Sequence, residues 1–396
     1  MKKSITILGS TGSIGVNTLD VIARHSDLFQ VFALTGATQV ELMLKQCIQF
    51  QPNFAVMVNP NAAQLLRQQI IAHNLSTEVL SGPQSLEMVA ADERVEMVMA
   101  AIVGAAGLPA CLAAARSGKR LLLANKEALV VGGDLFLKAV QDGGAKLLPI
   151  DSEHSAIFQS LPDDSKNWSH VIHKIILTAS GGPFRTRDPG TLHTVTPEEA
   201  CAHPNWVMGR KISVDSSTMM NKALEVIEAK YLFGVKPEQI EVVIHPQSIV
   251  HSMVQYPDGS IVSQWGTPDM RTPIAYGLSW PQRIESGSAM INFKALPPMT
   301  FESVSELEHV KRFPGLSLAW DALNASPGTT AILNAANEVA VALFLSKQIR
   351  FDHIHALNLA TLSAFQPSIP SNLQDLLQID SESRKVATQL AQRYRV

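Results

Sequence analysis

The sequence predicts an α/β protein: an N-terminal doubly wound parallel sheet, a central α+β region and a helical bundle at the C-terminus. Three observations carry this. Short apolar runs alternate with helical patterns through residue 150, and the runs are continuous, as strands buried on both faces require. The regular alternation is lost from about residue 151, where loops rich in Gly, Pro, His and Ser appear. From Leu316 onward the pattern is helical.

In order, strands are expected at 4–8, 31–34, 55–58, 95–101, 120–123 and 146–150, with helices between them at 17–25, 40–49, 62–73 and 108–117. The central region has strand-like runs at 174–178, 240–244, 248–255 and 260–264, and one helix expected over 218–232. Residues 286–312, with Pro297-Pro298, read as a connector. Helices follow at 316–323, 329–346, 353–365 and 381–394. The domain boundaries expected are therefore 1–150, 151–285 (with a loop-rich segment at about 181–211), 286–312 and 313–396.

Bulk composition sets limits. At 396 residues the chain is long for one hydrophobic core, and 46% apolar with 17% charged residues is ordinary globular material. A net charge of −3 offers nucleic acid or an anionic membrane no electrostatic attraction. No run approaches the roughly 20 apolar residues of a membrane span. Cys47, Cys111 and Cys201 are odd in number and far apart, which suits a reducing compartment, so a cytoplasmic location is expected.

Gly9-x-x-Gly12-x-x-Gly15 follows the first strand and opens a helix. Missing side chains let backbone approach a pyrophosphate, and the helix N-terminus offers N–H groups and a positive dipole. The loop after the second strand, Ala37-Thr38-Gln39, lacks the carboxylate that would hold an NAD ribose and repel a 2′-phosphate, which favours NADP. Asn125-Lys126-Glu127 follows another strand at a carboxyl end; it reads equally as a ligand-facing turn or a plain helix start.

Asp151-Ser152-Glu153-His154 follows the strand at 146–150. In extended backbone Asp151 and Glu153 point the same way, and two adjacent carboxylates suit Mg²⁺ or Mn²⁺. A bare D-x-E is more often a solvated acidic loop, and a third carboxylate elsewhere is what would favour a metal. Asp215-Ser216-Ser217 is expected to cap the next helix, with Asn221 and Glu225 at i, i+4 and Lys222 beside Glu225. Ser216, Asn221 and Lys222 would make a phosphate socket and Glu225 a third carboxylate; a capped surface helix is the alternative. Ser180-Gly181-Gly182 is a possible second anion-binding turn, and the segment from Cys201 through Trp206 to Lys211 a possible lid. His245 and His251, in a strand-like run, read more readily as hydrogen-bonded core residues than as catalysts.

Together the ordered segments 8–15, 124–127, 149–154, 180–184, 203–206, 208–211, 219–222, 245–248 and 333–338 resemble the 1-deoxy-D-xylulose 5-phosphate reductoisomerase family. The resemblance implies a Rossmann-like NADPH-binding domain, a catalytic domain, a C-terminal helical bundle and a homodimer. It implies the second step of the methylerythritol phosphate route to isoprenoids, yielding 2-C-methyl-D-erythritol 4-phosphate by rearrangement and reduction. A divalent ion, Mg²⁺, Mn²⁺ or Co²⁺, would be held by Asp151, Glu153 and Glu225. Positions matching substrate contacts are Lys126, Ser152, Glu153, Ser180, His203, Trp206, Ser216, Asn221, Lys222 and Glu225, with Trp206 on a flap. Lys126, Glu153 and His203 are the catalytic candidates. Thr11, Gly12, Ser13, Ile14, Asn125, Glu127 and Gly209 match cofactor contacts, as do Thr38 and Gln39, where members commonly carry Gly-(Lys/Arg/Ser)-Asn and this chain has no cation. Two rivals share some of these features: an NADP dehydrogenase of another phosphorylated aldehyde, and a non-catalytic NADP sensor.

Overall fold

The structure is a computed structural model describing residues 2–206 and 208–396; Met1 and Val207 lie outside the described residues. It divides into two compact units.

The first unit comprises residues up to Ala128, then Phe136–Ser155 and Asp269–Ala289. Its strands are β1 (Lys3–Leu8), β2 (Phe29–Gly36), β3 (Phe54–Met57), β4 (Glu78–Ser81), β5 (Met97–Ala100), β6 (Arg120–Leu123) and β7 (Lys146–Pro149). All pair in parallel, in the order β4-β3-β2-β1-β5-β6-β7. Ile5, Ile7, Val98, Met99, Leu121 and Leu122 are solvent-free because helices cover both faces, which explains the unbroken apolar runs. β4, at the edge with an exposed Glu78, escapes an apolar-run criterion. The strand order reverses between β1 and β5, so their carboxyl ends flank the crevice where such sheets take ligands.

Residues 269–285, expected with the central region, and 286–289, expected in the connector, cluster with this first unit. Helix Arg271–Ser279 packs on helix Ser13–Arg24, and Arg271 reaches Asp20 at 3.1 Å. A Cβ on Gly277 would lie 2.6 Å from Ile150 Cδ1, so a larger residue here would require the Ile150 side chain to shift. Lys146 and Arg120 each place a cation over the Trp280 ring.

The second unit comprises Leu129–Leu135, Ala156–Pro268 and Met290–Val396. Its five-stranded sheet runs β11 (Ile261–Trp265), β10 (Val250–Gln255), β8 (Lys174–Ala179), β9 (Ile240–Ile244), β12 (Glu302–Ser303). Only β8 and β9 are parallel, so the mixed sheet bears out an α+β region. Helices Thr329–Leu345, His353–Ala364 and Leu373–Leu390 pack together as the expected bundle, the last beginning eight residues before its expected start. The bundle is not free-standing: Leu333 and Leu318 share one core with Leu177 of β8 and with Val226 and Ile227.

Two local expectations are corrected. Strand β7 ends at Pro149 and helix Ser152–Ser160 begins at once, so Asp151 and Glu153 lie at a strand-to-helix junction and not along an extended strand. The helix expected over 218–232 is preceded by another, Arg210–Ser217, and starts at Met220 after Met219 turns through φ 62°. Asp215-Ser216-Ser217 therefore closes the first helix instead of capping the second. The Ser217 hydroxyl donates back to Val214 O at 2.7 Å, and the buried Asp215 carboxylate accepts from Asn337 Nδ2 at 2.7 Å and pairs with Lys211 at 2.8 Å.

Candidate active site

In the first unit the glycine turn leaves the carboxyl end of β1 with Gly9 at φ 84°. A Cβ on Gly15 would lie 2.4 Å from Gly9 O, so the helix seats against the turn only because Gly15 has no side chain. The turn is fastened from behind: Gly9 N donates to Thr35 Oγ1, Ser10 Oγ to Gln46 Oε1, and Gln46 Nε2 to Ser10 O, each at 2.8 Å. No side chain caps helix Ser13–Arg24, and Gly12 and Ser13 are exposed, so the first-turn N–H groups face outward for an anion. Thr11 and Ile14 flank them, half-buried. Ala37, Thr38 and Gln39 are exposed after β2, and Gln39 Nε2 donates to Thr11 O at 3.3 Å, tying the two loops together.

Asn125, Lys126 and Glu127 follow β6 and are all buried. Asn125 Nδ2 donates to Gly104 O at 3.1 Å, while its buried Oδ1 has no hydrogen-bond partner. A buried acceptor without a donor is costly, and a bound amide or hydroxyl would satisfy it. The uncapped turn and this acceptor fit a nicotinamide dinucleotide.

The Lys126 ammonium forms an ion pair with Asp151, both side chains largely withdrawn from water. Ser152 Oγ donates to Glu153 Oε2 at 2.5 Å. His154, fully buried in the first helical turn, places a ring nitrogen within 4.8 Å of an Asp151 oxygen. The sequence reading quoted His154 without giving it a role; its i, i+3 spacing from Asp151 is the signal that could have singled it out. A carboxylate held this deep needs positive charge beside it, which Lys126 provides here. Hard oxygen donors and a buried imidazole fit a divalent ion.

In the second unit the Ser180 turn meets the end of helix Arg210–Ser217. Gly181 and Gly182 take φ 80° and 62°, and a Cβ on Gly182 would lie 2.9 Å from Ser216 O, which brings the turn against Ser216. Ser180 Oγ lies 2.9 Å from His203 Nε2 and accepts from Gly182 N at 3.1 Å. His203 Nδ1 accepts from the backbone N–H groups of Asn205 and Trp206, at 3.1 and 3.0 Å. With Nδ1 an acceptor, the neutral ring carries its proton on Nε2 and donates to Ser180. The Ser180 hydroxyl hydrogen is then left to donate elsewhere.

Asn221 and Lys222 occupy the first turn of helix Met220–Phe233, which no side chain caps. Asn221 Nδ2 donates to Glu225 Oε1 at 2.5 Å, and the Lys222 ammonium pairs with the fully buried Glu225. This is the expected i, i+4 pairing, and with Lys222 and Glu225 buried and Asn221 half-buried it is not the surface helix that was the alternative. Asn205, which sequence reasoning passed over, anchors the Trp206 segment by donating to Pro246 O at 2.8 Å and Ser248 Oγ at 3.0 Å. The Trp206 and His251 ring centroids are 6.5 Å apart. His245 is structural as expected, with Nδ1 on Thr300 O at 2.9 Å and Nε2 accepting from Ile249 N. Gly209 stands at the start of helix Arg210–Ser217 with no described atom within 4 Å of where its Cβ would be.

A glycine turn at the carboxyl end of a doubly wound parallel sheet is the arrangement of a nucleotide-dependent enzyme. Family models described as 1-deoxy-D-xylulose 5-phosphate reductoisomerase match residues 5–133, its C-terminal domain 147–233, and a further DXP reductoisomerase C-terminal domain 265–386. The reductoisomerase of Ralstonia nicotianae is 54% identical over 97% of this chain and 96% of its own length. That of Cupriavidus necator is 55% identical over 97% and 96%. A solved DOX-P reductoisomerase in complex with NADPH, fosmidomycin and magnesium superposes with a TM-score of 0.94 at 43% identity, covering 98% of each chain. The Zymomonas mobilis enzyme with NADPH gives 0.91 at 44%, covering 99% of each. This chain belongs to the 1-deoxy-D-xylulose 5-phosphate reductoisomerase family.

Proposed function

We propose that this chain converts 1-deoxy-D-xylulose 5-phosphate to 2-C-methyl-D-erythritol 4-phosphate, with NADPH and a divalent ion, Mg²⁺ or Mn²⁺ with Co²⁺ as a substitute. The supporting observation is likeness over the whole chain to a reductoisomerase solved with NADPH, fosmidomycin and magnesium. NADPH supplies the hydride, and the ion, when bound, supplies Lewis-acid polarisation of substrate oxygens.

Thr11, Gly12, Ser13 and Ile14 present the pyrophosphate-binding turn; Thr38 and Gln39 meet the 2′-phosphate; Asn125, Glu127 and Gly209 complete the cofactor contacts. Asp151, Glu153 and Glu225 supply the metal oxygens. Ser180, Ser216, Asn221 and Lys222 hold the substrate phosphate, whose binding energy positions the reacting carbons. Ser152 and Lys126 contact the substrate, and Lys126 with Glu153 moves its protons. His203, the third catalytic candidate, donates from Nε2 to Ser180 and so leaves the Ser180 hydroxyl hydrogen for the anion. Trp206, on its anchored segment, excludes water while the carbon skeleton is open.

The test is NADPH oxidation followed by absorbance with 1-deoxy-D-xylulose 5-phosphate, with and without divalent ion, and product analysis. Activity without metal, or a different product, removes this reading.

A homodimer belongs to the same reading. β11 is an edge strand with exposed Ile261, Val262 and Trp265, the last stacked on exposed Phe293, a surface that pairing with a second copy would cover. Sedimentation at twice the chain mass supports it; a monomer at micromolar concentration does not. The cytoplasm is the proposed location, in keeping with three free cysteines, and no described helix is long and apolar enough to cross a membrane.

A further inference from the structure

Within the second unit a cavity of about 220 Å³ is lined by apolar and cationic side chains that the proposed reaction does not use. Leu192, Met220, Phe351 and Ile354 give it apolar walls, and Arg312 and His355 are polar members of its lining. Arg312 is only 8% exposed, yet it spends few of its donors. Nε donates to Arg187 O at 2.5 Å and Nη1 to His309 Nδ1 at 3.0 Å, while Nη2 reaches only Glu308, at 3.9 Å. A guanidinium has five N–H donors, so a buried one with two hydrogen bonds retains capacity for an oxyanion.

His355 Nδ1 is buried without a hydrogen-bond partner. Desolvation holds this ring below its ordinary pKa, so at neutral pH it is uncharged and offers one donor and one acceptor. The nearby acids are already paired: Asp352 with Arg350 at 2.8 Å and Glu308 with Lys311 at 3.3 Å. Each of these carboxylates thus has a cation other than Arg312 beside it.

From this cavity we infer a second binding site, for a small organic anion with an apolar body. Its size follows from volume: a 150 Å³ cavity accepts benzene, so this one holds roughly nine heavy atoms, the size of benzoate. The apolar walls select against a bare oxyanion. Thr218 and Met220, in the lining, immediately precede Asn221 and Lys222, so an occupant bears on the turn that carries the phosphate socket.

The test is calorimetric titration of the full chain with benzoate and, separately, with inorganic phosphate. Benzoate is expected to bind once per chain, at least tenfold more weakly after Leu192→Trp, which fills the cavity. His355→Phe keeps the ring shape without its nitrogen, should Leu192→Trp fail to fold, and is expected to weaken benzoate about threefold or more. Ser216→Ala, in the phosphate socket, is expected to leave benzoate affinity unchanged. No benzoate binding, binding indifferent to both cavity variants, or loss only in Ser216→Ala overturns the assignment. Phosphate binding as tight as that of benzoate and weakened by Leu192→Trp overturns the apolar part.

Discussion

His203 Nε2 lies 2.9 Å from Ser180 Oγ while the opposite ring nitrogen is covered by two backbone N–H groups. That arrangement spends the basic lone pair of the imidazole on the backbone of its own loop. This geometry supports His203 as a hydrogen-bond donor and an anchor for the Trp206 segment, and kinetics put its expected place among the catalytic residues to the test.

It follows that His203→Ala raises KM for the phosphorylated substrate more than it lowers kcat. One hydrogen bond to a charged group is worth about 1.5–3 kcal/mol, so a rise of roughly tenfold to a hundredfold is expected. Steady-state kinetics across pH check this. Loss of one limb of the kcat profile would give His203 a proton-transfer role after all.

Glu225→Gln is expected to cripple turnover while NADPH binding survives, since the glycine turn lies in the other unit. The fully buried Glu225 pairs with Lys222, and removing one member of such a pair costs roughly 3–5 kcal/mol in the first instance. Mn²⁺ affinity should fall at least as far as the roughly 10–100-fold caused by losing an outer-shell partner. Near-normal turnover at saturating metal removes Glu225 from the ligand set.

NADPH is expected to be preferred over NADH even though the exposed 37–39 loop carries no cation. Backbone N–H groups and the Thr38 hydroxyl must then hold the 2′-phosphate, and Thr38→Arg should sharpen the preference by several-fold. The ratio of kcat/KM values for the two cofactors decides; equality in the parent chain sinks the reading.

Cys47 and Cys111 are buried, and desolvation pushes both thiols up to about 12. In the unfolded chain they titrate near 8.5. Their folded pKa values being raised, they contribute stability that is complete below that pH and lost as pH rises toward 12. Chemical denaturation between pH 8 and 11 should show the decline, reduced in a Cys47→Ala, Cys111→Ala double variant. In native protein at pH 7.5, Cys201 alone should react with a thiol reagent, because only it is partly exposed.

Much of the site was readable along the chain because its parts are local. Gly9 and Gly15 announce a turn that needs no side chains, and Asn221, Lys222 and Glu225 meet through helical spacing alone. Less was readable where long-range partners decide. Asp215 has the look of a helix cap, yet Asn337, 122 positions away, and Lys211 claim its carboxylate. Asn205 falls in the 203–206 segment, but its anchoring role shows only once Pro246 and Ser248 lie beside it.

By itself the sequence determined the parallel sheet, the nucleotide turn and the family, since two-sided burial and missing side chains are written into consecutive residues. Tertiary structure alone decided that residues 269–289 join the first unit, that the C-terminal helices share a core with the central sheet, and that Asp151 ends a strand where a helix begins. Those outcomes depend on which distant surfaces exclude water together, such as Gly277 against Ile150, and no local pattern encodes that.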